Sequence, residues 1–207
     1  MITLYHSPNS RSTRIVALVK ELDALDHVRI ERVTIPRTDG SGARDPANPH
    51  PEGKVPLLDD DGTLVRESSA IVQHLADLFP KAGLSIPHGH RQRGAYLGWL
   101  AWYAGVLEPV LIVEAAGLDH PFLRQTFRGG VEARARLASA LGDSPFLLGD
   151  RFTAADLLLH SPFAWFGKPG VPAIDAWVDR CTARPGAAFA AAFDAAQPAS
   201  SPVRRRS

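Results

Sequence analysis

Residues Gly53 to Ile71 read GKVPLLDDDGTLVRESSAI, and the fold is decided there. Val55-Pro56 stands at the mouth of a short apolar strand, Pro56 to Leu58, where a proline's missing N–H need not disrupt a ladder. Asp60-Asp61-Gly62 is a hairpin signal, and a second strand runs from Thr63 to Arg66. Glu67-Ser68 then opens an amphipathic helix, with Ile71, Val72, Leu75, Leu78 and Phe79 expected on one face. With a cis Val55-Pro56 bond, the Val55 N–H and C=O are open to an extended ligand, as to another strand. The helix start adds unpaired N–H groups and a dipole that favours an anion. Together these predict a seat for a small extended peptide with a carboxylate at one end. Taken singly, Val-Pro begins many ordinary strands and Glu-Ser is often only a helix cap.

Upstream, Ile2 to Tyr5 is a short apolar strand, followed by the loop His6-Ser7-Pro8-Asn9-Ser10. Ile15, Val19 and Leu22, with Val16 and Leu18 beside them, recur at helical spacing through Leu25. Val28 to Ile35 is rich in branched side chains and reads as a second strand, with alternation that slips around Arg32 as at a bulge. Pro36 to Glu52 is dense in Gly, Pro, Asp and Asn and reads as loop. The order β-α-β then β-β-α resembles a thioredoxin-like domain with a mixed four-stranded sheet over residues 1–80.

Downstream the strand patterns stop. A linker is expected over 81–90 and an all-α C-terminal domain over 91–196. Residues 91 to 116 form one long helical run, expected to bend near Pro109, which cannot donate to the helix ladder. Gly129-Gly130 precede a helix over Val131 to Leu141, and further helices cover Ala173 to Arg184 and Gly186 to Ala196. In FLLGDRFTAADLLLHSPF, Thr153 is placed to cap a helix, with Asp156 reaching back and Phe152 packing on Leu157. That element reads as structural, and Asp156 is not a candidate acid. Residues 197–207 form a polar tail ending in Arg204-Arg205-Arg206, expected to be disordered.

Composition narrows the classes. A chain of 207 residues with formal net charge +1 and 22% charged residues gives no footprint for nucleic acid. Its one cysteine, Cys181, excludes an internal disulfide and a thiolate metal cluster, and reads as a buried small hydrophobe. No metal is expected. No secretory pattern opens the chain and no run reads as a membrane span, so a cytoplasmic location is expected.

The Val55-Pro56 and Glu67-Ser68 elements, together with SPNSRSTR at residues 7–14 and the Thr153–Asp156 helix start, resemble the cytosolic glutathione transferase family, bacterial-type, with a serine-type active site. The resemblance covers almost the whole chain and is weakest over 112–128 and the tail. It implies glutathione as co-substrate, no metal, a homodimer and a small hydrophobic electrophile. The peptide backbone would lie on Val55, the γ-glutamyl amine near Glu67 and its carboxylate on Ser68, with Lys54 and His50 near the glycyl carboxylate. Pro56 is structural. Ser10 falls on the catalytic serine and Arg14 on the basic residue of the first helix; Asn9, Arg11 and Ser12 are rivals for the thiol contact. Without the resemblance, Ser10 reads as a helix cap.

Ser10 is sufficient in magnitude. A free thiol with a pKa of about 8.5 is only a few per cent ionised at neutral pH. Lowering that value by about two units takes roughly 2.7 kcal/mol. One hydrogen bond to a charged group supplies about 1.5–3 kcal/mol, and a helix N-terminus adds a few tenths to about 2 kcal/mol.

The electrophile is expected between the domains, beside His6, Trp102, Tyr103 and Val106, with Trp99 in the core. Members of this family that carry out redox chemistry use a cysteine in the first loop, and residues 1–80 contain none, so glutaredoxin-like thiol transfer lacks its nucleophile. The expected activity is conjugation of the glutathione thiolate to a hydrophobic electrophile. The alternatives are a glutathione-dependent isomerase or dehalogenase, and a transferase-like binding module without turnover.

Overall fold

The computed structural model describes residues 1–196; the tail at 197–207 lies outside the described residues. Four strands, β1 (Ile2–His6), β2 (Val28–Arg32), β3 (Leu57–Asp60) and β4 (Thr63–Val65), form one sheet in the order β2-β1-β3-β4. β1 and β2 run parallel, with Ile2 opposite Val28 and His6 opposite Arg32, while β1–β3 and β3–β4 are antiparallel. Helix α1 (Thr13–Glu21) makes the crossover between the parallel strands, and α2 (Ser68–Leu78) follows the hairpin. This is a thioredoxin-like N-terminal domain, and the rest of the described chain forms a helical C-terminal domain.

Several boundaries move from those read in the sequence. β1 takes in His6, β2 ends at Arg32, and Val33 leaves the ladder by donating its N–H to the His6 carbonyl at 2.8 Å. On α2, Ile71, Val72 and Leu75 are fully buried, but Leu78 is exposed, because the helix ends there and the chain turns into a single 3₁₀ turn at Pro80–Ala82. Arg93 joins the two domains. Its guanidinium donates to both Asp77 carboxylate oxygens at 2.9 and 2.8 Å and to the Ile86 carbonyl at 2.6 Å. A planar fork paired with a carboxylate fixes direction as well as distance.

The C-terminal helices are α3 (Arg93–Trp102), α4 (Glu108–Ala115), α5 (Pro121–Thr126), α6 (Gly130–Leu141), α7 (Ala154–His160), α8 (Phe163–Phe166), α9 (Pro172–Thr182) and α10 (Pro185–Ala195). Between α3 and α4 the helix widens into a π segment over Tyr103–Leu107. Pro109 lacks an N–H and crowds the carbonyl one turn earlier, so the irregularity falls before the proline rather than at it. The whole run Arg93–Ala115 is long and apolar enough, by length and composition, to cross a membrane, which the sequence reading missed. In this fold Tyr96, Trp99, Leu100, Trp102, Tyr103 and Leu107 of that run lie in the protein core.

α10 packs along α1. Gly186 is required at that contact, since a Cβ there would come within 2.6 Å of the Ala17 carbonyl oxygen. The Glu21 carboxylate accepts the Gly186 N–H at 2.7 Å and two Arg184 N–H groups at 2.9 and 2.6 Å. The start of α7 carries a full capping box between Thr153 and Asp156. Asp156 is fully buried, and it accepts from Leu147 N–H, Thr153 N–H, Thr153 Oγ1 and Trp177 Nε1 at 2.8 to 3.0 Å.

Candidate active site

The Val55–Pro56 bond is cis, and among the described residues neither the N–H nor the C=O of Val55 has a backbone partner. Glu67, at the N-cap of α2, holds φ at +69°, a conformation that costs a non-glycine residue of order 1–3 kcal/mol. No side chain caps α2, so its first N–H groups stay available, and Ser68 beside them is 8% exposed. Among the described residues the structure thus leaves the Val55 backbone and the start of α2 without partners, the two features on which the sequence reading placed the ligand.

Lys54 is exposed, and its carbonyl accepts from the buried Asn48 side chain at 3.1 Å. His50 is 6% exposed; its Nδ1 accepts the Glu52 N–H at 3.0 Å and its carbonyl accepts from Arg44. One face of this imidazole is thus spent on holding its own turn.

The β1–α1 loop is tightly cross-linked. Ser10 does not cap α1, whose N-cap is Ser12. Its half-buried hydroxyl lies 2.7 Å from both the Ser7 carbonyl and Ser12 Oγ, and it accepts the Ser12 N–H at 3.2 Å. Ser12 Oγ is in turn 2.8 Å from His6 Nδ1. His6 Nε2 stands 3.0 Å from Asp194 Oδ1 of α10. The contact is off the hydrogen-bond axis, and among the described residues neither atom has a hydrogen-bond partner, so it is principally electrostatic. Asp194 Oδ2 accepts the Asn9 N–H at 2.7 Å and the Thr13 hydroxyl at 2.6 Å. Burial holds the His6 pKa below its ordinary value, partly offset by Asp194.

His6 therefore does not face an open cleft, contrary to the sequence reading: it is the last strand residue and fully buried. Trp102 and Tyr103 are likewise core residues, 6% and 1% exposed, since they stand where α3 meets the π segment and faces inward. Trp102 packs edge-on against Trp99 at 5.3 Å, and Val106 is half-buried against the same core. The Tyr103 hydroxyl accepts from Arg14 Nη1. Arg14 is 4% exposed, lies 5.0 Å from the Trp165 ring centroid, and shares Glu108 of α4 with Arg11. Burial lowers its pKa to about 10, so it remains charged at neutral pH.

A cavity of about 460 Å³ lies next to this loop, bounded by Asn9, Thr13, Leu157, Trp165, Ala187 and Ala191 among others. It meets the candidate site at Asn9, Thr13, Arg14 and Asp194 and takes no residue from the Val55–Ser68 stretch. Sequence reasoning missed Asp194, Glu108 and Trp165. Only Asp194 left a signal, as an isolated carboxylate in the alanine-rich run PGAAFAAAFDAA.

Comparison with known proteins fixes the family. Residues 1–83 match the model of the glutathione S-transferase N-terminal domain. Glutathione S-transferase GstA of Escherichia coli O157:H7 is 32% identical over 143 residues, 66% of this chain and 71% of the relative. The chain belongs to the glutathione S-transferase family. Disulfide-bond oxidoreductase YfcG of Escherichia coli K12 is 29% identical over 204 residues, 89% of this chain and 92% of the relative. The crystal structure of a glutathione transferase from Methylococcus capsulatus superposes with a TM-score of 0.76 at 28% identity, over 94% of this chain and 98% of that one. The site described above is thus set in the transferase fold across nearly the full described length.

Proposed function

We propose that this transferase binds glutathione along Val55 and the α2 N-terminus and conjugates its thiolate to a hydrophobic electrophile, with the Ser10 hydroxyl stabilising the sulfur anion. The observation that carries the reading is a Val55 backbone without a backbone partner among the described residues, together with a helix start at Glu67-Ser68 that no side chain caps. The tripeptide pairs with Val55 as an added strand, its γ-glutamyl carboxylate takes the Ser68 hydroxyl and N–H, and its amine meets Glu67. Lys54 and His50 serve the glycyl end. Ser10 is the donor of choice over its neighbours because its hydroxyl is half-buried, whereas Ser12 is sealed away. The electrophile enters the mainly apolar cavity beside Asn9 and Trp165, whose volume falls in the range of small-molecule sites.

Exposed Leu64 on β4 and Leu78 on α2 support a homodimer formed through the first domain, tested by sedimentation of the purified chain. The deciding experiment for the reaction is calorimetric titration with glutathione, followed by the pH profile of conjugation for the native chain and Ser10→Ala. The substitution should raise the pH midpoint by more than one unit with affinity nearly unchanged; an unchanged profile rules out that role for Ser10. Assaying reduction of a glutathione mixed disulfide in parallel separates conjugation from the chemistry named for the oxidoreductase relative.

A further inference from the structure

Ser10, Ser12, His6 and Asp194 form an unbroken file from the loop surface to the inner side of the last helix. The successive separations are 2.7 Å between the two hydroxyls, 2.8 Å from Ser12 Oγ to His6 Nδ1 and 3.0 Å from His6 Nε2 to Asp194 Oδ1. Ser12 and His6 are fully buried, so the file is reached only at its two ends, the half-buried Ser10 and Asp194, which lines the cavity.

We propose that this file is the proton acceptor for the glutathione thiol, with His6 and Asp194 acting on the sulfur through the two serines. The inference rests on the reading of Ser10 as the thiol contact. With its proton on Nε2, 3.0 Å from the Asp194 carboxylate in an electrostatic contact off the hydrogen-bond axis, the neutral imidazole presents Nδ1 as an acceptor for the Ser12 hydroxyl 2.8 Å away. The S–H bond breaks as its proton passes to Ser10 Oγ. Ser10, its O–H turned from the Ser7 carbonyl 2.7 Å away, passes its own hydroxyl proton to Ser12 Oγ, and Ser12, whose O–H likewise leaves that carbonyl, passes its proton to His6 Nδ1. The sulfur keeps the electron pair. Ser10 is left with an O–H directed at the thiolate, Ser12 donates back towards Ser10, and an imidazolium stands beside a carboxylate. The reverse path returns the proton to the conjugate or its leaving group, so the cycle needs no other reactant.

The arrangement divides the labour as in a serine–histidine–aspartate system, where the carboxylate stabilises the imidazolium without taking its proton. Two groups oppose the cation: Arg32 of β2, and burial itself, while Asp194 favours it. Arg32 is itself tied to the Phe193 and Ala196 carbonyls. Arg37, beyond β2, donates to Ser7 Oγ at 3.2 Å and the Pro8 carbonyl at 2.7 Å, next to the file. A thiolate at Ser10 adds the negative charge that completes the pair.

The test is the ultraviolet thiolate absorbance of the enzyme–glutathione complex against pH, with calorimetric affinities, for the native chain, Ser12→Ala, Asp194→Asn and the double variant. Each single substitution should raise the apparent pKa of the bound thiol by at least one unit, about tenfold less thiolate below the midpoint, with glutathione affinity within threefold. The double variant should shift no further, since either change breaks the same file. A native profile in folded Ser12→Ala, or additive shifts, overturns the proposal. Asp194 also fastens Asn9 and Thr13, so if Asp194→Asn does not fold, Ser12→Ala decides alone. Failure of the native chain to bind glutathione, or an unshifted Ser10→Ala, sinks the transferase reading; a shifted Ser10→Ala with unshifted Ser12→Ala sinks only the file.

Discussion

The Trp177 indole donates its N–H to Asp156 Oδ1 at 3.0 Å, joining α9 to the start of α7 inside the helical domain. The same carboxylate takes two backbone N–H groups and the Thr153 hydroxyl, so its removal strands four buried donors at once. Asp156→Ala should destabilise the fold by about 3–5 kcal/mol, each stranded donor costing about 1–3 kcal/mol with partial relaxation. Urea unfolding followed by tryptophan fluorescence measures it. A loss under about 1 kcal/mol would show that the carboxylate is not holding the two helices together.

Acid should weaken the protein through His160. Burial drives its pKa down to about 4 from an ordinary 6.5, while its Nδ1 sits 2.8 Å from the Asp156 carbonyl. Between those two values the unfolded chain binds the proton and the folded one does not, so stability is lost as pH falls from 6.5 towards 4. The contribution is on the order of 2–3 kcal/mol. His160→Phe should flatten that part of the curve of urea midpoint against pH; a curve parallel to the native one contradicts the assignment.

Ser68→Ala should weaken glutathione binding by roughly tenfold to a hundredfold, the loss of one hydrogen bond to a charged group. The thiol pKa in the remaining complex should not change, because the proposed pose puts Ser68 at the far end of the peptide. Calorimetry and thiolate absorbance together separate the two effects.

Much of this was legible beforehand, for a physical reason. Val55-Pro56, the Asp-Asp-Gly turn and Glu67-Ser68 act through backbone geometry and spacing over fewer than about 20 residues, and local chemistry of that kind is written in order along a chain. Thr153 and Asp156 are equally local. What could not be read were relationships set by packing. His6 follows an apolar strand and looks like the first residue of a loop, yet β2 and α10 enclose it. Tyr103 and Trp102 look like an aromatic stripe open to a cleft, yet both are buried in the core with Trp99, Leu100 and Leu107.

Filling the cavity should separate the two substrates. Ala191→Leu adds bulk beside Trp165 without touching Val55 or Ser68. The KM for a bulky electrophile should rise by about tenfold, the discrimination available from one or two methylenes. Glutathione affinity should stay as it is. Equal effects on both substrates would place the electrophile elsewhere.

The amide of Asn9 is fastened by a carboxylate 185 positions further along the chain. During synthesis on the ribosome the thioredoxin-like unit emerges first, but the loop after its first strand stays unfastened until nearly the whole polypeptide has been made. A truncated product that stops before the final helix lacks the carboxylate that straps Asn9 and Thr13 in place.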